Sequence, residues 1–185
     1  MTLLILGVIL WSAVHLFRGL APAPRDRLAA AHETRYKSVF SLLVIGSLVL
    51  IVFGWRAAEP SFVYTEPDWG RVVNMALMLV ALILFFSGRV KTNIKRVIRH
   101  PQLTGVLLWS VGHLLSNGDS RSVFLFAALG LWAVIEIVLI NRRVGPWQKP
   151  DPVPVGRDLV PVVIGAVAYG ILGWAHPYFT GVSIY

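Results

Sequence analysis

Residues 105–115 read Gly-Val-Leu-Leu-Trp-Ser-Val-Gly-His-Leu-Leu, and residues 7–17 read Gly-Val-Ile-Leu-Trp-Ser-Ala-Val-His-Leu-Phe. Seven of the eleven aligned positions are identical. Matches of Leu and Val mean little among apolar helices; Trp, Ser and His at one spacing mean more. Gly105, Trp109 and His113 recur every four residues, as do Gly7, Trp11 and His15, so each set stacks on one helical face. The later copy is entered through Arg99-His100-Pro101, a basic loop with proline at a first helical turn, where its missing N–H costs nothing.

Outward from these two stretches the chain is apolar. Of its 185 residues, 56% are hydrophobic and 14% charged, the composition of a membrane protein. A crossing needs about 17–25 apolar residues. Six spans are expected, at about 2–20, 38–55, 71–88, 101–117, 121–140 and 159–176. The class is all-α, a polytopic membrane helical bundle in one transmembrane domain over residues 1–185. The first span has no charged segment before it and carries Arg18 at its far end, which argues against a cleaved signal peptide.

The net charge of +8 belongs to topology rather than to nucleic acid, since no nucleic-acid-binding signature accompanies it. With Arg18 and Lys37 counted as flanks, the first, third and fifth loops hold 14 of the 17 Lys and Arg, and the other two loops hold 3. The positive-inside rule then places both termini on the side of the membrane away from the cytoplasm. There is no cysteine, which excludes disulfides, thiolate metal sites and thiol catalysis. No Walker loop, His-Glu-x-x-His, Gly-x-Ser-x-Gly or dinucleotide fingerprint occurs.

The internal similarity extends past the first helix. Ser38-Val-Phe with Gly46 matches Ser122-Val-Phe with Gly130, and Gly70-Arg71 echoes Gly156-Arg157. Units 1–88 and 99–176 would each hold three spans. An odd number inserts the second unit in the opposite sense, a 3+3 inverted repeat with a site near the midplane.

An intramembrane histidine needs a reason. His15 and His113 read either as hydrogen-bonding glue between helices or as a paired site. Two neutral imidazoles can supply both axial positions of a b-type haem, with Trp11 and Trp109 packing beside it and Gly105 leaving room for a flat macrocycle. Arg18 and Arg35 are placed to hold its propionates, or serve only as basic anchors. Each histidine lies four residues from its span centre, about 6 Å. Because the two helices run oppositely, the imidazoles fall on opposite sides of the midplane. Glu136, the one acidic residue deep in a span, faces the bundle interior, pairs with a cation near a helix end such as Arg35 or Lys37, or carries a proton. Asn74 is expected to bond between helices, His100 to be a solvated loop residue, and Trp55, Trp69, Trp147 and Trp174 to anchor at the interfaces.

The pattern Arg99-His100-Pro101-Gln102-Leu103-x-Gly105, followed by Leu108-Trp109-x-x-x-His113, with His15 and Glu33-x-Arg35-Tyr36, resembles the NnrU family of integral membrane proteins over essentially the whole chain. The resemblance implies a link to bacterial nitrite and nitric oxide reduction, in denitrification. The same motifs look like those of 15-cis-zeta-carotene isomerase, a relative that carries haem b. By that resemblance its histidine ligands fall on His15 and His113. The isomerase's cysteine near the second histidine has no counterpart in Ser110-Val-Gly-His113. The implied function is a haem-b protein doing redox or isomerisation chemistry on an apolar small-molecule substrate, or supplying electrons to a redox partner. Whether it is a haem-dependent isomerase or oxidoreductase stays open. Arg99-His100-Pro101-x-x-x-Gly105 is also similar to the S-adenosylmethionine-binding motif of isoprenylcysteine and phospholipid methyltransferases. That alternative places Arg99, His100 and Glu136 at a methyl-transfer site, although those enzymes have paired glutamates where this chain has one. A non-catalytic assembly or transport protein is the third class.

Overall fold

The computed structural model describes residues 1–184. Seven α-helices follow in order: α1 (Thr2–Leu20), α2 (Pro22–Ala31), α3 (Glu33–Ala57), α4 (Gly70–Ser87), α5 (Pro101–Ser116), α6 (Ser120–Val144) and α7 (Leu159–Thr180). Short 3-10 turns at Asn93–Arg96 and Val155–Asp158 lead into α5 and α7. The fold is all-α.

Five helices are long and apolar enough to cross a membrane: α1, α3, α4, α6, and α7 with the turn before it. The expectation of six spans is met for these five. The remaining expected span is α5, whose 16 residues extend about 24 Å. One element escaped the sequence reading. The basic segment after α1, counted above as the first loop, forms α2, with Pro22 at its start and no buried residue.

The packing fixes the directions of the helices. Leu4 of α1 lies against Gly54 near the end of α3, and Gly7 lies against Ile51. A Cβ on Gly7 would come within 2.8 Å of the Ile51 nitrogen, so only glycine lets these backbones meet. Gly105 of α5 meets Ala81 and Phe85 of α4, and Gly165 of α7 meets Ile83 of α4. On α6, Phe126 touches Trp109 and His113, while Asn141 bonds His100 at the start of α5. Neighbours α1–α3, α4–α5, α5–α6 and α4–α7 are therefore antiparallel. α1 and α6 run parallel, with Leu4 and Val8 in one cluster with Leu125, Phe126 and Leu129, and Gly19 beside Leu139.

These pairings do not show the inverted repeat. α5 packs along α4, but α1, its counterpart, does not pack along α7, the counterpart of α4. Likewise α1 packs on α6, whereas α5 does not pack on α3.

The two ends of the bundle differ. At one end, loop 58–69 pairs with the α5–α6 turn. Val63 N–H donates to Gly118 O at 2.9 Å, Gly118 N–H to Glu66 Oε1 at 2.7 Å, and Tyr64 Oη–H to Asn117 O at 3.0 Å. Asp119 caps α6 by accepting from the Arg121 and Ser122 N–H groups, both at 3.1 Å. The other end carries the basic loops. There Arg99 donates to Gly145 O at 2.6 Å, and Asp158 Oδ1 accepts from the Asn93 N–H at 2.7 Å.

Candidate functional site

The two motif histidines have the same local chemistry. His15 Nδ1 bonds Trp11 O at 2.8 Å, and His113 Nδ1 bonds Trp109 O at 2.9 Å. A carbonyl accepts only, so Nδ1 carries the proton and Nε2 keeps a lone pair in each ring. Neither Nε2 makes a hydrogen bond within the described residues. Aromatic rings hold both imidazoles. His15 lies 4.2 Å from the Trp11 ring and edge-on to Trp132 at 5.3 Å and Phe40 at 5.6 Å. His113 stacks on Phe126 at 4.3 Å and lies 5.2 Å from Trp109.

Helix α6 serves as a ruler between them. Phe126 and Trp132 are six residues apart, about 9 Å along the axis. Side chains lean toward the N-terminus of their own helix. α1 and α5 have opposite senses, so the two imidazoles lean toward each other in depth. Trp11 is one turn from His15 on the side of His113, and Trp109 is one turn from His113 on the side of His15. The interval between the histidines thus holds two indoles, both packed against the cluster around Phe126. As a donor set the residues fit haem b: two neutral imidazoles with fixed tautomers and unbonded Nε2 atoms. Among the described residues no cluster of three or more His, Asp or Glu offers a different metal site.

Other expected site residues fall differently. Gly105 does not leave room for a macrocycle, because a Cβ there would lie 2.5 Å from Ala81 O; its space belongs to α4. Arg18 and Arg35 are both exposed at the basic end, near the His15 side and far from His113. Glu136 pairs with neither Arg35 nor Lys37. Lys37 bonds Glu33 at 2.6 Å, and the cations acting on Glu136 are Arg143 and Arg18. Its Oε2 is buried without a partner, as are Trp11 Nε1 and Trp132 Nε1 along the same α1–α6 seam. Asn74 bonds between helices as expected, donating to Ser116 Oγ at 2.8 Å. His100 is not a free loop residue, since it is the N-cap of α5 and its Nε2 bonds Asn141 Oδ1 at 2.8 Å. Trp55 is buried rather than interfacial; its Nε1–H donates to Thr180 O and its ring carries the Arg121 guanidinium at 4.5 Å.

Arg99 and His100 line a cavity at the basic end. Glu136, their expected companion for methyl transfer, does not line it. Trp132 and Phe126, which grip the two histidines, were not singled out in the sequence. No local motif marks them, because their role comes from α6 being shared by α1 and α5.

The profile of the NnrU family, described as NnrU protein, matches residues 3–184, so this chain belongs to that family. No curated protein and no solved structure matches it.

Proposed function

We propose that this protein is a multi-pass bacterial inner-membrane protein of NnrU type that binds haem b through His15 and His113 and supports nitrite and nitric oxide reduction. One observation carries the reading: both motif histidines have Nδ1 tied to the carbonyl four residues back and Nε2 unbonded. Histidine used only as helix glue spends its ring nitrogens on neighbouring helices. These two keep theirs, in a layer where an unpartnered nitrogen is costly.

Bound there, haem would supply one-electron chemistry or activation of an apolar substrate. The chain's own residues set the conditions. Trp11 O and Trp109 O fix the tautomers, Phe126 and Trp132 fix the ring planes, and the apolar cluster around Phe126 excludes water. Arg18, three residues after His15 in α1, is a cation on that side for a propionate.

α5 completes the six-crossing reading. It begins at His100, bonded to α6 at the basic end, and finishes at Asn117, bonded to Tyr64 at the other end. These two bonds support a sixth crossing of the same layer as its neighbours, despite the length of the helix. With the basic loops in the cytoplasm, both chain ends face the periplasm.

The test is an absorption spectrum of detergent-purified protein, oxidised and dithionite-reduced, with His15→Ala and His113→Ala beside it. The expected result is a Soret band with α and β bands on reduction, altered in each variant. A colourless protein that stays colourless after reconstitution with haemin would sink the proposal.

A further inference from the structure

The basic end of the bundle holds a cavity that the histidines do not use. Its volume is about 480 Å³. The polar lining consists of Lys95, Arg99, His100 and Gln148, and no Asp or Glu among the described residues lines it. The opposite wall is apolar, formed by Ile140 and Val144 in the last two turns of α6 and by the indole of Trp147.

The cavity is built by specific bonds. His100 to Asn141 ties the start of α5 to the end of α6. Arg99 to Gly145 O fixes the loop that follows. Gly145 has a positive φ of +76°, open to glycine, at the turn that leads into Pro146 and Trp147, two of the lining residues. Lys149 rests over the Trp147 ring at 5.4 Å and holds the indole in place. The α5 N-terminus, the positive end of its dipole, starts at the same point.

We propose that this cavity binds the phosphate headgroup of an anionic phospholipid, with Lys95 and Arg99 facing the phosphate and the start of an acyl chain along Ile140, Val144 and Trp147. The sign follows from two permanent cations with no carboxylate opposite them. Arg99 uses one N–H on Gly145 and keeps the rest of its fork for phosphate oxygens. The amphiphilic character follows from the split lining and from the position, where spans end and basic loops begin. Pockets of about 300–1,000 Å³ take ligands of headgroup size, so the chains stay in the bilayer. Basic pockets between transmembrane helices suit such headgroups. A soluble phosphate compound shares the charge chemistry but makes no use of the apolar wall.

The experiment is native mass spectrometry and thermal unfolding of the full chain in detergent, with phosphatidylglycerol, phosphatidylcholine or inorganic phosphate added. Phosphatidylglycerol is expected to be retained and to raise the unfolding temperature, while the other two do neither. Among the described residues Lys95 makes no hydrogen bond through its side chain, so Lys95→Gln is expected to keep the fold and to weaken phosphatidylglycerol about fivefold. Gln148→Glu places a carboxylate in the lining and is expected to weaken it as well. Equal retention of both lipids, or undiminished binding in both variants, overturns the proposal. Stabilisation by inorganic phosphate alone also overturns it and reassigns the cavity to a soluble ligand. None of these outcomes bears on the haem spectrum.

Discussion

His15 and His113 stand in near-identical sequence and in unlike surroundings. Each bonds the carbonyl four residues back, at 2.8 and 2.9 Å. Each motif also turns its first glycine to a neighbouring backbone: Gly7 to α3, Gly105 to α4. Beyond the helix the likeness stops. His113 lies three residues from the end of α5, where the Asn117 side-chain amide donates to the His113 carbonyl at 2.8 Å and loop 58–69 closes the end. His15 lies five residues from the basic end of α1, along a seam where Trp11, Trp132 and Glu136 each leave a buried polar atom unpartnered. A helical motif repeats what lies within four residues of itself. It does not repeat the neighbours, which are set by the packing of whole helices.

Removing those neighbours separates the two sites most strongly. Trp132 is 6% exposed and Phe126 is 5% exposed, so either truncation to alanine leaves a large void and costs about 3–5 kcal/mol. Trp132→Ala is expected to disturb the His15 signal and spare His113, and Phe126→Ala to do the reverse. Imidazole nitrogen chemical shifts in detergent would show it. In the haem-free protein, an equal response of both histidines to both variants would mean that their surroundings are shared, and the contrast fails.

The glycines give the next largest effect. Gly105→Ala drives a Cβ to 2.5 Å from Ala81 O and is expected to cost about 1–3 kcal/mol in unfolding by denaturant. Gly46 of α3 has nothing within 4 Å of its Cβ position. Alanine there relieves a flexible helical residue and is expected to stabilise by about 0.5–1 kcal/mol. A Gly105→Ala protein as stable as Gly46→Ala would mean that α4 and α5 are not held by close backbone contact.

The sequence made some of this legible and hid the rest for physical reasons. The long apolar runs, the sidedness of the charges and the Asn74 bond between helices follow from hydropathy and from the cost of polar groups in lipid. The stacking of Gly, Trp and His on one face of α1 and of α5 follows from a spacing of four on a helix. Gly105 was misread as room for a macrocycle because a glycine face marks a close approach without naming what approaches. α2 was missed because its sequence, Pro-Ala-Pro-Arg-Asp-Arg-Leu-Ala-Ala-Ala, has no apolar stripe and buries no residue. The inverted repeat expected from shared motifs is not shown by the packing: α1–α3 and α5–α6 correspond, but α4–α5 and α1–α6 have no counterparts, and such contacts are not encoded in any short stretch.

The smallest effects come from the closed end near His113, where side chains bond loop backbone. Asp119→Ala removes the α6 cap and is expected to cost about 1 kcal/mol. Tyr64→Phe removes a phenol that donates to Asn117 O, worth about 0.5–1.5 kcal/mol. Burial, then the nearby carboxylates of Glu66 and Asp119, raise the Tyr64 pKa above its ordinary value. An acid whose pKa rises on folding favours the neutral form in the folded chain. Its contribution is complete below the unfolded phenol value of about 10 and is lost as pH climbs through the higher folded value. The wild-type closed end should therefore loosen on the alkaline side of pH 10, while Tyr64→Phe lacks that step and starts from the lower plateau. Amide exchange at Val63 and Gly118, compared between the two proteins across that range, reads the difference, and His15 at the basic end should report none of it.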